Sequence, residues 1–394
     1  MTKDNSSTAG CSTEPEYCDS DPFEVSACDH CFRFYPSGAD RLDALLDHIA
    51  SAERTLDVFY YMFQDDDSGT KVRDALASAA ARGVSVSLVI DDFGSDAPAE
   101  FFEPLTRAGG KFAVFLADWN VRYLIRNHQK FAIADNARVM TGGSNVSDHY
   151  YNPPEENGWC DLGVLIEGEI AKKFSEWFAL LEDWTRSKGS QFRRIRNMIR
   201  NWDPGDGKVK LLMGGPFLRR SHWAYRFKQD LADARRLNAV TAYFGPSRSF
   251  RRAIAKVAMR GKARLVLAGK SDLEGTIFVA RLFYRRLIKA GVRLLEFQPC
   301  KLHMKLIVVD AFSYFGSANL DRRSTRINIE LMVRVEDEEL AARLREFIDY
   351  LSEATVEADE QWYRENSGFF HRLRWRMYHM LSLADYRLAR AASG

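Results

Sequence analysis

His303-Met304-Lys305 opens a stretch that runs through Leu306-Ile307-Val308-Val309 to Asp310 and closes on Gly316-Ser317-Ala318-Asn319. The same pattern stands in the first half of the chain. There His128-Gln129-Lys130 leads through Phe131-Ala132-Ile133-Ala134 to Asp135, then to Gly142-Gly143-Ser144-Asn145. One H-x-K-x4-D triplet carries little information. Two copies with matching sequels point to an internally repeated chain with two lobes.

The apolar runs read as β-strands, on which residues two apart share a face. His128 and Lys130 therefore project together, as do His303 and Lys305. Each aspartate stands at an odd spacing from its lysine, and a carboxylate beside an anion would repel it. Asp135 and Asp310 thus read as turn-forming or supporting members of the catalytic motif, needed without reacting. An imidazole, with a pKa of roughly 6.5, can attack or carry a proton near neutrality. If the lobes face each other, one histidine can attack phosphorus while the other protonates the leaving oxygen, splitting one displacement into two. Lys130, Lys305, Asn145 and Asn319 would surround the nonbridging oxygens. Ser317, matched by Gly143 in the first copy, would add a hydroxyl on one side. Such donors can replace a divalent cation, so neither a metal nor another cofactor is expected.

With these residues in place, the chain resembles the phospholipase D superfamily. The second copy continues Gly316-Ser317-Ala318-Asn319-Leu320-Asp321-Arg322-Arg323-Ser324, then Asn328-Ile329-Glu330, which resembles the bacterial cardiolipin synthase branch. The first copy continues through Trp159-Cys160-Asp161-Leu162 and Ile166-Glu167-Gly168, similar to that branch's first lobe. The resemblance spans roughly residues 33–360. It implies an α/β fold of two similar lobes, each a mixed β-sheet flanked by helices, with the active site between them. It further implies His128 as nucleophile, His303 as general acid and then base, and Asp161 and Glu330 as the carboxylates that orient the histidines. The implied activity is transfer of a phosphatidyl group from phosphatidylglycerol or phosphatidylethanolamine to a second phosphatidylglycerol, giving cardiolipin through a phosphohistidine. The near-symmetry of the copies leaves the order of the histidines open. The acceptor is open too, with a water-using phospholipase D and a nuclease of the superfamily as alternatives. Typical members of the branch begin with membrane-spanning helices, which this sequence lacks.

Composition agrees with two domains: 394 residues at 46% hydrophobic content can bury sizeable cores. A net charge of +2 gives no global pull toward nucleic acid, so no nucleic-acid partner is expected. No stretch nears the roughly 18 apolar residues of a transmembrane helix, and the first residues lack a signal-peptide pattern. The expected location is peripheral, at the cytoplasmic face of the membrane. The oligomeric state is not legible.

The expected organisation is a mostly disordered acidic segment at 1–32, a first lobe at 33–188, a basic linker at 189–208, a second lobe at 209–360 and a basic amphipathic tail at 361–394. Periodicity predicts strands at 54–62, 84–90 and 111–116, with helices at 70–82, 97–108 and 170–185. The second lobe repeats the pattern with strands at 239–244, 263–268, 292–297 and 327–335, and helices at 250–260, 276–290 and 337–353. Arg186 to Arg200 is basic without an acidic residue, and Phe192, Ile195, Met198, Ile199 and Trp202 recur near helical spacing. The linker reads first as a docked helix. The tail, with Arg372, Arg374, Arg376, Arg387 and Arg390 among Leu373, Trp375, Met377, Met380 and Leu381, reads first as an anchor on anionic membrane. Cys28-x-x-Cys31 with Cys11 and Cys18 is a weak zinc pattern, and free thiols are the simpler reading. Asp91 reads as a helix cap, His149 as a surface histidine, and Trp119 and Arg126 as packing residues or headgroup contacts.

Overall fold

The structure is a computed structural model that describes residues 17–115, 126–186, 191–216 and 221–392. In chain order the first half gives strands β1 (Phe23–Ala27), β2 (His30–Tyr35), β3 (Thr55–Tyr60), β4 (Ser85–Asp91), β5 (Lys111–Phe115), β6 (Lys130–Ala134), β7 (Arg138–Gly142), β8 (Trp159–Cys160) and β9 (Gly163–Glu167). The second half gives β10 (Val209–Gly214), β11 (Arg236–Thr241), β12 (Lys262–Ala268), β13 (Val292–Phe297), β14 (Lys301–Leu302), β15 (Lys305–Val309), β16 (Phe312–Gly316), β17 (Glu330–Glu336) and β18 (Thr355–Glu357).

Two large sheets result, ordered β1-β2-β9-β7-β6-β3-β4-β5 and β10-β17-β16-β15-β11-β12-β13-β18. The run from β2 to β5 matches the run from β10 to β13 strand for strand, which is the internal repeat in three dimensions. In each, three parallel strands join an antiparallel set at the motif strand: β6 pairs β3 and β7, and β15 pairs β11 and β16. Each motif strand is therefore central and buried along its whole length, so it reads as a continuous apolar run.

The sheets face each other across the helices Ile170–Thr185 and Glu338–Glu353, and one core runs through both lobes. It includes Phe34, Phe131, Trp177, Leu211, Phe315 and Phe347. Phe315 of the second sheet meets Phe32 and Phe34 of the first edge-on, at 6.0 and 5.6 Å between ring centroids. Helix Glu338–Glu353 shows why such segments form: Asp337 caps its N-terminus by accepting from Leu340 N at 2.9 Å, and Leu340, Leu344, Phe347, Ile348 and Leu351 bury one stripe. Separate apolar layers cover the outer faces, with Leu45 and Leu76 on the first lobe and Phe227 and Ile254 on the second.

Several expectations need correction. Residues 17–32 are ordered: β1 and β2 form a hairpin whose turn is Cys28-Asp29, both at positive φ (51° and 59°). Acidic composition averaged over the segment hid an alternation that buries Phe32 and Phe34. Cys28 thus stands in the turn and Cys31 on β2; Cys11 and the segment 1–16 lie outside the described residues, as does Trp119. The helix expected at 97–108 divides into a 3-10 turn, Ala99–Phe102, and a short helix, Glu103–Arg107, because Pro104 lacks the N–H that would continue the first. The linker docks: helix Gln191–Arg200 buries Ile195 and Ile199 in the shared core, and Trp202, two residues past its end, joins them.

Because the core is shared, the lobes should unfold together. Phe315→Ala is expected to cost about 3–5 kcal/mol and to keep a single urea transition by fluorescence and circular dichroism. Two separated transitions in the parent protein would contradict a common core.

Candidate active site

Short backbone pairings across the lobe seam build the site. β14 of the second lobe pairs in parallel with β8 of the first, matching Leu302 with Cys160, and His303 N donates to Cys160 O at 2.7 Å. On the other side Asn127 bridges Ile329, and His128 N donates to Ile329 O at 2.8 Å. Each pairing sets a carboxylate of one lobe beside a histidine of the other. Glu330 Oε2 lies 3.1 Å from His128 Nδ1, and Asp161 Oδ2 lies 2.8 Å from His303 Nδ1. An ionised carboxylate only accepts, so Nδ1 carries the proton in each ring and Nε2 presents the lone pair.

The two motifs form one electrostatic cluster. Burial lowers His128 to about 4, with Lys130 and Lys305 acting the same way and Glu330 opposing. Burial lowers His303 to about 4 as well, helped by Lys305 and Lys130 against Asp161. Lys305 is brought down to about 8 by burial, against Asp161 and Glu330. Lys130 falls well below the usual lysine range, again through burial first. For the acids burial works upward and loses: His128, Lys130 and the Ser317 hydroxyl hold Glu330 below its ordinary value, while Lys305, His303 and Arg41 hold Asp161 well below its own. At neutral pH the site therefore presents neutral imidazoles, ionised carboxylates and, at Lys305, an ammonium that holds its proton weakly.

The lysines stay near their histidines. Lys130 Nζ donates to His128 O at 2.6 Å and lies 5.0 Å from the Tyr61 ring, which also packs on His128 at 4.8 Å. Lys305 Nζ sits 2.7 and 2.9 Å from the two ring nitrogens of His303 and donates to its carbonyl oxygen. Tyr150 and Trp159 enclose the His303 ring at 5.1 and 5.4 Å. Between histidine and lysine the chain turns its alternate residue to the other face. Gln129 accepts from Trp177 Nε1 at 2.7 Å and donates to Glu330 O at 3.3 Å, pinning the first motif strand to both lobes. Met304, its counterpart, is simply buried in the core.

Ser317 and Asn145 are arranged differently from expectation, whereas Asp135 and Asp310 form turns as expected. Ser317 Oγ donates to Glu330 Oε2 at 2.5 Å and accepts from Leu331 N at 3.0 Å, so its hydroxyl holds the orienting carboxylate. At the matching Gly143 a Cβ would lie 2.4 Å from Asp161 Oδ1, which explains the missing side chain there. Asn145 takes Met62 N at 3.2 Å on its oxygen and gives its amide to Tyr150 OH at 2.7 Å. Asn319 takes Tyr243 N at 3.3 Å. These asparagines tie down the loops after β3 and β11, and the amide of Asn145 is already engaged. Asp135 and Asp310 stand at the far ends of the motif strands, in left-handed turns (φ 56° and 47°). Asp135 accepts from the backbone of Glu53, Arg54 and Thr55, and Asp310 from that of Arg235 and Arg236. They fix the strands and do not reach the reacting atoms. Gly142 and Gly316, both with φ near 150°, turn the chain where a Cβ would strike Leu162 O or Leu331 O at 2.4 and 2.3 Å.

Two supports escaped the sequence reading. Arg41 is buried and donates to the carbonyls of Asp161 and Tyr150 at 2.8 Å and of Trp159 at 3.2 Å, gathering the loop that carries the Asp161 carboxylate. Asp91 accepts from Phe93 N at 3.0 Å and Asn127 N at 2.9 Å, so it closes its own turn and also anchors the residue before His128. Nothing in the sequence marks Arg41 as unlike any other helix arginine. His149 is exposed, as expected, and stacks on Trp159 at 5.7 Å between ring centroids. Among the described residues no group of three or more metal-ligating side chains is found.

Comparison with known proteins places this geometry. The family model described as cardiolipin synthase, phospholipase D-like domain, matches residues 45–184 and 228–352, more than half of the chain. Cardiolipin synthase A of Pseudomonas fluorescens is 29% identical over 353 residues, which cover 87% of this chain and 72% of that protein. Cardiolipin synthase 2 of Bacillus anthracis is 28% identical over 335 residues, covering 82% of this chain and 65% of that one. In fold, the chain is similar to phosphatidylserine synthase of Haemophilus influenzae, with a TM-score of 0.74 at 14% identity over 92% of this chain and 95% of the other. The chain belongs to the cardiolipin synthase family of phospholipase D-like phosphatidyltransferases.

Proposed function

We propose that the protein transfers a phosphatidyl group from phosphatidylglycerol, or phosphatidylethanolamine, to a second phosphatidylglycerol and so makes cardiolipin. The observation that carries this reading is the crossed pairing of Glu330 with His128 and Asp161 with His303, which makes two distant histidines members of one site. His128 Nε2 attacks phosphorus and the P–O bond to the headgroup alcohol breaks. His303 gives the leaving oxygen its proton. The hydroxyl of the second lipid then loses its proton to His303 and attacks the phosphohistidine, and the P–N bond breaks to restore His128.

The partners of the two rings support this assignment of roles. Both ring nitrogens of His303 lie within 2.9 Å of Lys305 Nζ, an ammonium that gives up its proton near pH 8 and can supply one to the ring. His128 has its lysine on the backbone carbonyl instead, which keeps Nε2 available for attack. The incoming phosphodiester anion favours protonated His303, and both lysines offset its charge.

Membrane contact is part of the same proposal. No described helix is long and apolar enough to cross a membrane. Helix Phe369–Ala392 instead turns Trp375 and Tyr386 onto the protein and leaves Phe370, Leu373, Met377, Met380, Leu381 and Leu388 exposed. Their three- and four-residue steps form one stripe with arginines beside it, the pattern of a helix lying on an anionic surface.

Three results are expected. Mass spectrometry of lipids from cardiolipin-free cells expressing the chain should show cardiolipin, and His128→Ala or His303→Ala should lower its formation at least about a thousandfold. His303→Ala should also accumulate a phosphatidyl adduct on His128; an adduct on His303 in the His128→Ala protein would reverse the roles. The pH profile of kcat/KM should rise through about 4, where His128 loses its proton, and fall through about 8, where Lys305 loses its charge. Lys305→Arg, whose guanidinium stays charged, should carry the upper limb to higher pH in whatever activity remains; a limb that stays put assigns it to another group. Finally, Phe370→Ser with Met377→Ser should weaken flotation with phosphatidylglycerol vesicles several-fold, and equal flotation would remove the tail from the membrane contact.

A further inference from the structure

A cleft of about 670 Å³ opens at the seam, between the first lobe's 154–158 loop, helix Glu274–Ile288 of the second lobe and the tail helix. Lys270, Arg281, Lys301 and Arg374 line it against a single acid, Glu274. Arg281 is already neutralised by Glu296, with contacts of 2.8 and 2.7 Å. Arg374 lies over the Phe278 ring at 4.0 Å, so its charge sits at the cleft wall beside an apolar surface. The excess charge is positive.

The cleft borders the active site across Trp159. Lys301 Nζ is 5.5 Å from the Trp159 ring, and the same ring lies 5.4 Å from His303. Trp159 Nε1 is buried and finds no acceptor among the described residues. A buried donor without a partner costs about 1–3 kcal/mol, and an anionic oxygen arriving there would satisfy it. Lys301 and His303 are two residues apart on an extended segment, about 6.6 Å along the chain. A glycerol headgroup between its phosphate and its terminal hydroxyl spans a comparable length. On the outer side Arg374 belongs to the helix whose exposed stripe includes Leu373 and Met377, so acyl chains leaving the cleft would meet that stripe.

We propose that this cleft seats the phosphate of the acceptor phosphatidylglycerol on Lys301 and Arg374, with its terminal hydroxyl reaching past Trp159 to His303. The assignment rests on the synthase reading above and adds to it a place for the second phosphodiester. It also gives selection of a lipid alcohol over water a physical basis: the acceptor is recognised by a charge that water does not carry.

The test compares two acceptors in one reaction. With phosphatidylglycerol in mixed micelles and ethanol added, cardiolipin reports the lipid acceptor and phosphatidylethanol a neutral one that needs no phosphate seat. Lys301→Gln should lower the ratio of cardiolipin to phosphatidylethanol at least tenfold and raise the phosphatidylglycerol concentration at half-saturation for cardiolipin. Arg374→Gln should act in the same direction more weakly, and Lys301→Arg should restore most of the ratio. Phosphatidylethanol formed by each variant is the check on folding. Equal ratios in parent and Lys301→Gln would overturn the cleft and leave the synthase standing. A parent that makes phosphatidylethanol but no cardiolipin would overturn the synthase reading and the acceptor role with it. Titration of dihexanoyl phosphatidylglycerol into His128→Ala protein should show binding that Lys301→Gln weakens at least tenfold. Glycerol 3-phosphate binding as tightly as that lipid would make the occupant a soluble phosphate ester and overturn the lipid assignment.

Discussion

Each imidazole is held by a carboxylate that the other lobe supplies, and the rest of the molecule is arranged around that exchange. Glu330 and His128 are 202 residues apart in sequence, and Asp161 and His303 are 142 apart. Neither lobe alone contains an oriented histidine. A buried carboxylate costs several kcal/mol unless paired and hydrogen-bonded, so each lobe is destabilised by its own acid until the other arrives. The continuous core through Phe32, Phe34 and Phe315 holds the lobes at the distance that lets the pairs close.

The backbone decides which acid meets which histidine. The bridge between Asn127 and Ile329 places the next residues, His128 and Glu330, side by side; the pairing of Leu302 with Cys160 does the same for His303 and Asp161. Arg41, Asp91 and Gln129 then secure three of the four segments involved by hydrogen bonds to main chain or across the seam. Such buried polar groups make position, more than net stability, the property they control. This is also why the motif aspartates matter from a distance. Asp135 and Asp310 fasten the remote ends of β6 and β15 to the chain before β3 and β11, so a slip of register there would move the histidine at the other end.

What the sequence disclosed follows from range. Local periodicity located the motif strands and most helices, because apolar runs and caps are written within ten or fifteen residues. The pairing of lysine and histidine on one face needed only a spacing of two. Roles that depend on contacts between segments were beyond it. Ser317 and Asn145 looked like phosphate donors because they stand in the motif, yet the hydroxyl faces Glu330 and the amide faces Tyr150. Arg41 gave no sign at all, since the carbonyl oxygens of Asp161, Tyr150 and Trp159 that it gathers lie more than a hundred residues away. The hairpin of β1 and β2 was obscured by acidic neighbours, though the alternation of Phe32 and Phe34 was there to be read.

The repeat is symmetric in topology and asymmetric in chemistry, and the asymmetry bears on mechanism. The shorter acid, Asp161, fills the space where the first lobe would carry a side chain at Gly143, while the longer acid, Glu330, is braced by Ser317. Gln129 ties the strand of His128 to the other lobe by hydrogen bonds, whereas Met304 only packs. The attacking residue must return to one position after each covalent cycle, which favours the ring whose strand is fixed from both sides. The proton-carrying residue must change charge twice, which favours the ring with an ammonium of lowered affinity against it. Under the roles proposed above, His128 and His303 would meet these two demands separately, and a duplicated fold would house two unlike halves of one reaction.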